Sequence, residues 1–552
     1  MKLKKYATLM LGALVFASCN DIDEQFPEGG NYTDEQVQEL NKAVPSRADA
    51  IFSGMFSMMA EPHAALGGTR ADDFGFVMAA LSLDAEGSDL TLQDNGYNWF
   101  SACGKLTSRN ANYANPYIRY VVPYNQIGVA NQVIAAYAGD NDEEKWRIAQ
   151  AKAIIAFDYL ALAPYFQYRY VDAADKPCVP IIKEGADYGS NPRATVKEVY
   201  EFILKNLDEA IADLEGYKRP DKSKIDINVA YGLRARAYLN MGMYAEAAAD
   251  AEKALAGYTP ATMKEMSTPA FCDINESNWI WGIAVTDGQV NADGYPTSSS
   301  WISAFSGDGY AAATVNVPSI NSLLYKKIPD SDVRKGWWLN ENLQSPLLEG
   351  LTWTDGKTGQ SASGQDIPAF TIEDIKEPFI AYNSVKFGMK SGVGSTLNNN
   401  DFPLMRVEEM ILIQAEGLAK SGNADKARQI LENFVRTYRD PSYISTGRNL
   451  SLEDEIWFQR RVELWGEGFA TSDLQRLKKP IVRFHGQASG KEDLGNFPAA
   501  FRFNLPADDP WRLLRFPQTE IDNNSEITSA DNAGGSVPEP DSHGELLDGV
   551  TD

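Results

Sequence analysis

Cysteine and histidine are scarce in this chain: 552 residues contain four cysteines and three histidines. Apart from Cys19, the cysteines Cys103, Cys178 and Cys272 allow at most one disulfide, and no Cys-x-x-Cys spacing suggests zinc. We therefore expect buried free thiols and no metal or cofactor. The HExxH, Gly-x-Ser-x-Gly, Walker and Gly-x-Gly-x-x-Gly motifs are also missing, so the common hydrolase and nucleotide sites are not predicted.

Basic residues are too few to balance the acidic ones. The chain has 51 Lys and Arg against 76 Asp and Glu, a formal net charge of -25. Such a charge repels phosphate backbones and anionic lipid headgroups, which excludes nucleic acid as a natural partner and favours neutral ligands. The hydrophobic fraction of 44% is that of an ordinary folded protein.

The first residues have the pattern of a secretory leader. Three lysines precede an apolar run at residues 9–16, and a small-small-Cys site ends at Cys19. We predict a signal peptide over residues 1–18 and a lipidated Cys19, followed by an acidic tether up to residue 35. A plain secreted protein with a coincidental cysteine is the alternative. No later apolar run is long enough to cross a membrane.

Helical periodicity dominates five stretches of the chain, and one of them has the spacing of a tetratricopeptide unit. In that unit, from Asn228 to Pro260, Gly242 is expected to end the first helix, while Tyr231 and Tyr238 fill the groove between two antiparallel helices. A weaker copy spans residues 411–434. We predict that the repeats stack into one helical scaffold. The helical stretches are residues 125–168, 195–216, 226–257, 403–438 and 452–478.

Two segments, residues 64–122 and 262–400, have the opposite character. Their helical periodicity fails, Gly, Ser, Asn and Pro accumulate, and residues 262–400 hold six of the eleven tryptophans. Loops with this composition on a rigid frame often carry binding sites. Residues 525–552 have seven acidic residues and no basic ones, which predicts a disordered tail. The remaining residues, 36–524, are predicted to form a single domain.

Several short motifs follow one another along the chain: Lys152–Leu160, Val196–Ile211, Phe402–Glu416, Arg460–Gly468 and Phe516–Asn524. In this order they resemble the motifs of the SusD/RagB family of nutrient-binding lipoproteins, and the resemblance covers nearly the whole chain. The departures from the family pattern are Ala470 and Leu477, where the family has Arg and Trp.

The resemblance implies a mainly α fold: a tetratricopeptide-like scaffold of helix pairs with a large loop-rich insertion that carries short strands. It implies a non-catalytic protein, anchored in the outer membrane and exposed at the cell surface, that captures an oligosaccharide for a SusC-type TonB-dependent transporter. Peptide capture, as in RagB-like relatives, is the main alternative. A tetratricopeptide protein scaffold and a glycan-active enzyme with two carboxylates are further alternatives.

Candidate ligand contacts follow from the two loop-rich segments, which correspond to the family's ligand face. Aromatic faces pack on the apolar side of a sugar ring, and polar side chains satisfy its hydroxyl groups. For any one ring, a buried structural role is the alternative. The candidates are Tyr97, Trp99, Tyr295, Trp301 and Tyr310, with Asp94, Asn95, Asn98 and Asp308 as polar neighbours.

The charged residues Arg460, Glu463, Glu467 and Asp473 recur at helical spacing in the C-terminal motif. Side chains three or four residues apart share one face of a helix, where opposite charges pair readily. We expect these four to form a partly buried ion-pair network and not a catalytic pair of carboxylates.

Overall fold

The computed structural model describes residues 34–61, 65–66, 73–94, 99–183, 189–290, 317–354, 358–369, 379–393, 399–483 and 495–542. Helices dominate these residues and the strands are short, so the predicted mainly helical fold is confirmed. The helices of the N-terminal half are α1 (Asp34–Ala43), α2 (Pro45–Ser57), α3 (Gly75–Glu86), α4 (Trp99–Gly104), α5 (Ala114–Ala136), α6 (Asp142–Phe166), α7 (Tyr170–Ala173), α8 (Val196–Asp213), α9 (Ile227–Met241) and α10 (Tyr244–Ala254). Those of the C-terminal half are α11 (Asp287–Val290), α12 (Ser322–Lys326), α13 (Val407–Lys420), α14 (Ala424–Tyr438), α15 (Leu452–Glu463), α16 (Ala470–Arg476) and α17 (Gln518–Asn523).

Side-chain caps fix where several scaffold helices begin. The Asn141 side chain accepts a hydrogen bond from the Glu144 N–H (3.0 Å) at the start of α6. At the start of α8, Thr195 and Glu198 form a capping box, in which each side chain accepts from the backbone N–H of the other. Each cap stabilises its helix by about 1 kcal/mol because it satisfies an otherwise unpaired donor.

The predicted tetratricopeptide unit is the helix pair α9 and α10. Gly242 ends α9 in the left-handed conformation, with φ of 76°, and the chain turns back into α10. The second pair is α13 and α14. The two pairs meet at Gly417, where a Cβ would lie 2.5 Å from the Tyr244 carbonyl oxygen, so α10 and α13 approach as closely as backbones can. The predicted repeats therefore stack, although they are far apart in sequence.

The strands form antiparallel two-stranded ribbons, and one of them corrects a predicted helix boundary. Residues 402–406, at the start of the stretch predicted as helical, are extended and pair with residues 279–283, Trp279 opposite Arg406 and Ile283 opposite Phe402. Cross-strand pairing far along the chain overrides the local pattern. The strands are β1 (Leu90–Thr91), β2 (Pro177–Pro180), β3 (Arg193–Thr195), β4 (Trp279–Ile283), β5 (Ser319–Ile320), β6 (Thr352–Thr354), β7 (Ser361–Ser363), β8 (Phe402–Arg406), β9 (Ile481–Val482) and β10 (Asn504–Leu505).

The described part of the loop-rich insertion packs into the same hydrophobic core as the helices. Most of its tryptophans are structural: Trp279, Trp281, Trp337, Trp338 and Trp353 are each 0% exposed. Large aromatic rings bury 150–250 Å² each, roughly, which makes them efficient core residues. Only Trp301 of the six lies outside the described residues.

The expectation of a disordered tail is wrong for residues 525–542. Ile527 is buried in the main core. Asp531 pairs with Arg193 (2.6 Å), and Asp541 pairs with Arg502 (2.6 Å). The acidic residues that suggested disorder therefore meet basic partners supplied by the domain. Residues 543–552 lie outside the described residues.

Candidate ligand-binding face

The two loop-rich segments meet at the β1–β5 ribbon. Leu90 pairs with Ile320 and Thr91 pairs with Ser319 in antiparallel register. The chain that follows Thr91 and the chain that precedes Ser319 therefore start from the same end of the ribbon. All nine predicted contact residues belong to these two connections, Asp94 to Trp99 on one side and Tyr295 to Tyr310 on the other.

The base of this ribbon is held by the C-terminal motif. The guanidinium of Arg461 on α15 pairs with the buried carboxylate of Asp89 (Nε to Oδ2, 2.9 Å), just before β1. The Trp465 ring N–H donates to the Asp89 carbonyl (3.0 Å), and the Asn321 N–H donates to the same oxygen (2.8 Å). The helical scaffold thus fixes the end of the ribbon that lies opposite the two connections.

The structure describes two of the predicted contact residues. Asp94 is exposed and pairs with Lys105 (2.6 Å), so its carboxylate is already engaged with a neighbouring cation. Trp99 is the first residue of α4. Asn95, Tyr97, Asn98, Tyr295, Trp301, Asp308 and Tyr310 lie outside the described residues, as does Cys19.

A polar cleft of about 600 Å³ opens between α12 and residues 330–347. Asn340, Glu341, Asn342 and Gln344 line it with amide and carboxylate groups, and three of these side chains are exposed. The Asn340 side chain accepts hydrogen bonds from the backbone N–H groups of Asn342 (2.8 Å) and Gln344 (3.0 Å), which fixes the turn. Groups of this kind can satisfy the hydroxyls of a sugar.

The sequence did not predict this cleft, because its aromatic residues are buried and the groups that it exposes are polar. Trp338 is fully buried, and Tyr325 packs edge-on against Tyr382 at 5.2 Å between ring centroids. Burial also raises the pKa of Tyr325. The Tyr382 hydroxyl donates to Glu341 (2.8 Å). The Asn-Glu-Asn run at residues 340–342 was the available signal.

Glu463 lies at the centre of a buried ion-pair network that joins the insertion to the helices. Its carboxylate accepts from Arg439 (2.8 and 2.9 Å), Arg334 (3.2 Å) and Arg406 (3.3 Å). Burial opposes ionisation, but these arginines, Arg439 foremost, hold the pKa of Glu463 well below its ordinary value. The prediction is correct only in part: Glu463 and Glu467 belong to one buried network whose cations come from distant segments, whereas Arg460 and Asp473 pair with each other outside it.

The rest of this network balances its charge. Glu467 pairs with Arg406 (2.7 Å) and with Lys386 (2.7 Å). Burial lowers the pKa of Lys386 to about 8, although Glu467 opposes that shift. Four cations and four anions are present in total: Arg334, Lys386, Arg406 and Arg439 with Asp332, Glu408, Glu463 and Glu467.

Arg460, the one basic residue of the predicted set of four, pairs with Asp473 (2.6 Å). Cys103 and Cys178 are buried and Cys272 is half-buried; all three are free thiols. Across the described ranges, no group of His, Cys, Asp and Glu is arranged to hold a metal ion. No helix among the described residues is both long and apolar enough to span a membrane.

Residues 372–534, which include Arg406, Arg439, Arg461, Glu463 and Glu467, match the SusD family. The match covers this segment of the chain, and the solved structures show that the fold as a whole is SusD-like. A SusD-like carbohydrate-binding protein from Bacteroides vulgatus superposes with a TM-score of 0.67 at 22% identity, covering 89% of this chain and 98% of that chain. A SusD superfamily protein from Bacteroides thetaiotaomicron gives a TM-score of 0.65 at 21% identity, with coverage of 88% and 98%. A laminarin-binding SusD-like protein gives 0.58 at 18% identity, with coverage of 88% and 98%. No curated protein matches the chain by sequence.

The residues that match the SusD family and the loops outside the match form different parts of the candidate ligand-binding face. Arg461 and Trp465, which hold the ribbon, lie inside the matched residues 372–534. The connection after β1 and the connection before β5 lie outside them. The matched segment therefore supports the ribbon, and the residues predicted as ligand contacts lie in segments outside the match.

Proposed function

We propose that this protein is a cell-surface lipoprotein that captures an oligosaccharide, without catalysis, and delivers it to a SusC-type TonB-dependent transporter. The SusD-family match over residues 372–534 and the SusD-like fold support the uptake role. Structural neighbours described as carbohydrate-binding and laminarin-binding favour a glycan as the ligand. The β1–β5 ribbon is the observation that carries the proposal, because the two connections in which every predicted contact residue lies begin next to each other at Thr91 and Ser319.

The proposed site combines the two connections that start at the ribbon with the polar cleft. Trp99 and Trp301 would supply flat apolar faces for sugar rings, and Asn340, Glu341 and Asn342 would supply hydrogen-bonding groups. A net charge of -25 suits a neutral glycan better than an anionic one. A peptide is the alternative ligand, since carboxylates and amides also bind peptide groups.

The anchoring part of the proposal rests on Cys19. Acyl chains on this residue would hold the protein on the outer membrane, since each buried methylene contributes about 0.8 kcal/mol. The acidic residues after Cys19 would form a tether at the cell surface. In this arrangement the scaffold of helix pairs faces the transporter and the loop-rich face receives the ligand.

Affinity electrophoresis of residues 20–552 tests ligand capture. The gels contain laminarin, other neutral glucans, xylans, mannans or anionic polysaccharides, and calorimetry with a mixed peptide pool runs in parallel. Retardation by one neutral glycan class supports the proposal. Binding to peptides with no glycan retardation would replace the glycan by a peptide, and binding to neither would remove the capture role.

The aromatic contacts are tested by Trp99→Ala and Trp301→Ala. Each change should weaken binding of the glycan that retards the protein in the gels by about tenfold, since stacked rings contribute on the order of 1 kcal/mol beyond the area they bury. The matched control is Trp146→Ala, because Trp146 packs against Tyr217 on the scaffold. Normal glycan affinity in both loop variants would place the binding platform elsewhere.

Membrane fractionation tests the anchor. Cys19→Ala should move the protein from the membrane fraction to the soluble fraction of the producing cell, while Cys272→Ala, which changes another free thiol, should leave it on the membrane. Retention of the Cys19→Ala protein on the membrane would contradict lipid anchoring. Co-purification of the anchored protein with a SusC-type barrel tests delivery, and its absence would contradict that step.

A further inference from the structure

An apolar pocket of about 150 Å³ lies in the helical scaffold, apart from the β1–β5 ribbon and the polar cleft. Its walls come from α3, α6, α9, β8, α13, α15 and α16. Dry cavities of roughly this volume, lined by Leu, Ile and Phe, accommodate a benzene-sized molecule in other proteins.

Most of the lining is hydrocarbon. Phe76, Leu83, Phe157, Leu160 and Leu239 surround the pocket with aromatic and aliphatic groups. Phe76 and Phe157 also contact each other, with 4.8 Å between ring centroids. A body that fills this space gains free energy from the apolar area it removes from water.

One wall is charged, yet its charges balance. Three arginines, Arg236, Arg460 and Arg476, are balanced by three carboxylates outside the buried network, those of Glu409, Asp473 and Glu416. Arg236 pairs with Glu409 (2.7 Å), and both Arg460 (2.6 Å) and Arg476 (2.8 Å) pair with Asp473. A charged ligand would have to lose its hydration without gaining a free counter-ion here. The wall therefore favours an uncharged ligand.

This wall also contains a spare hydrogen-bond donor. Arg460 is 3% exposed, and its Nη1 has no hydrogen-bond partner in the described part of the chain. Its guanidinium lies against the Phe469 ring, 5.1 Å from the centroid, and the Arg236 guanidinium lies against the same ring. A buried N–H without a partner is unfavourable, so a ligand that brings an oxygen acceptor would remove that cost.

We propose that this pocket binds a small uncharged molecule with one ring, or a branched aliphatic body of similar size, that carries a hydroxyl or carbonyl oxygen. The oxygen accepts a hydrogen bond from Arg460, and the ring occupies the space between Phe76, Leu160 and Leu239. This binding is separate from glycan capture, because the two sites share no lining residue.

Four probes of one size test the ligand chemistry: benzyl alcohol, toluene, benzoate and benzylamine. Ligand-observed NMR and calorimetry on residues 20–552 should show benzyl alcohol binding about threefold to tenfold more tightly than toluene, the gain of one hydrogen bond. Benzoate and benzylamine should bind more weakly than either. Equal affinity for toluene and benzyl alcohol would overturn the role of Arg460, and binding of no probe would overturn the pocket.

Two variants locate the binding. Ala161 lines the pocket and is half-buried, so Ala161→Phe should fill the space and reduce benzyl alcohol affinity by at least about tenfold, as expected when roughly one ring is displaced. The matched control is Ala245→Phe on the exposed face of α10, which should bind like the unaltered protein. Leu160→Trp repeats the test if Ala161→Phe does not fold. Unchanged affinity in a folded filled variant would contradict the site, whatever the outcome of the glycan screen.

Discussion

Asp158, in the middle of α6, is fully buried, and in the described structure neither of its carboxylate oxygens has a hydrogen-bond partner. Burial alone raises its pKa well above the ordinary value. The folded protein therefore holds a proton at Asp158 that the unfolded chain releases above about pH 4. The pKa of Asp84 is shifted in the same direction. Burial raises it to about 7, although hydrogen bonds from the Gly468 and Ala470 N–H groups act to lower it.

Asp158→Asn tests the consequence of that proton. In the unaltered protein, Asp158 should lower the free energy of unfolding as pH rises from about 4, because the unfolded state is then favoured by losing the proton. The variant cannot ionise at this position, so its free energy of unfolding should fall less between pH 4 and 8 in urea titrations. Asp175→Asn, at an exposed position, is the control. Parallel pH profiles for Asp158→Asn and the unaltered protein would contradict the account.

Glu463→Gln tests the ion-pair network. The change removes one charge from a fully buried site and leaves Arg334, Arg406 and Arg439 with too little negative charge. We expect the free energy of unfolding to fall by about 3–5 kcal/mol, the usual cost when a buried pair is broken. Chemical denaturation at pH 7 measures it.

The control for this change is an exposed ion pair. Glu201 lies 3.9 Å from Lys197 on α8, and both side chains are more than half exposed. Glu201→Gln should change the free energy of unfolding by less than about 1 kcal/mol. A similar small loss in Glu463→Gln would mean that the network contributes little.

At the scale of elements, the sequence was sufficient for the main scaffold helices. Periodicity predicted the second half of α5, α6, α8 to α10 and α13 to α16, and the Gly242 turn is one such local signal. It did not predict α3 and α4, which lie in the segment 64–122 that was expected to be loop-rich, or the short helix α7. The strand β8 was missed, because Phe402–Arg406 is a short apolar run and its partner β4 lies more than a hundred residues earlier. Pairing at that separation leaves no trace in the local pattern.

Two glycines offer a matched test of the helical scaffold. Gly242→Ala should destabilise the protein by about 1–2 kcal/mol, because alanine is strained at a φ of 76°. Gly128→Ala, inside α5 with no atom within 4 Å of the added Cβ, should stabilise it by about 0.5–1 kcal/mol. Thermal melts of both variants measure the difference. Destabilisation of equal size in both would show that backbone conformation does not decide the effect.

At the scale of the whole molecule, the candidate site could be predicted only in part. The sequence located the two loop-rich segments but not the β1–β5 ribbon that joins them, since two-residue strands carry no periodic signal. It also could not separate buried from exposed rings, and Trp337 and Trp338 belong to the core. Burial depends on neighbours that are distant along the chain.

The acidic end of the chain gives a test at this scale. Removing residues 525–552 deletes Ile527 from the core and breaks the Asp531–Arg193 pair, which should lower the free energy of unfolding by about 2 kcal/mol or more. A chain that lacks only residues 543–552 is the control. Identical melting temperatures for the two shortened proteins would contradict a structural role for residues 525–542.

The central claim is that the protein captures a glycan and delivers it for uptake. Its most direct test is import, by the producing cells, of the glycan that binds in the affinity gels. Cells without this protein should take up a labelled oligosaccharide of that glycan more slowly at low concentration. The unaltered protein should restore uptake, whereas a Trp99→Ala, Trp301→Ala double variant present at the same surface level should not. Equal import in the presence and absence of the protein would contradict capture and delivery.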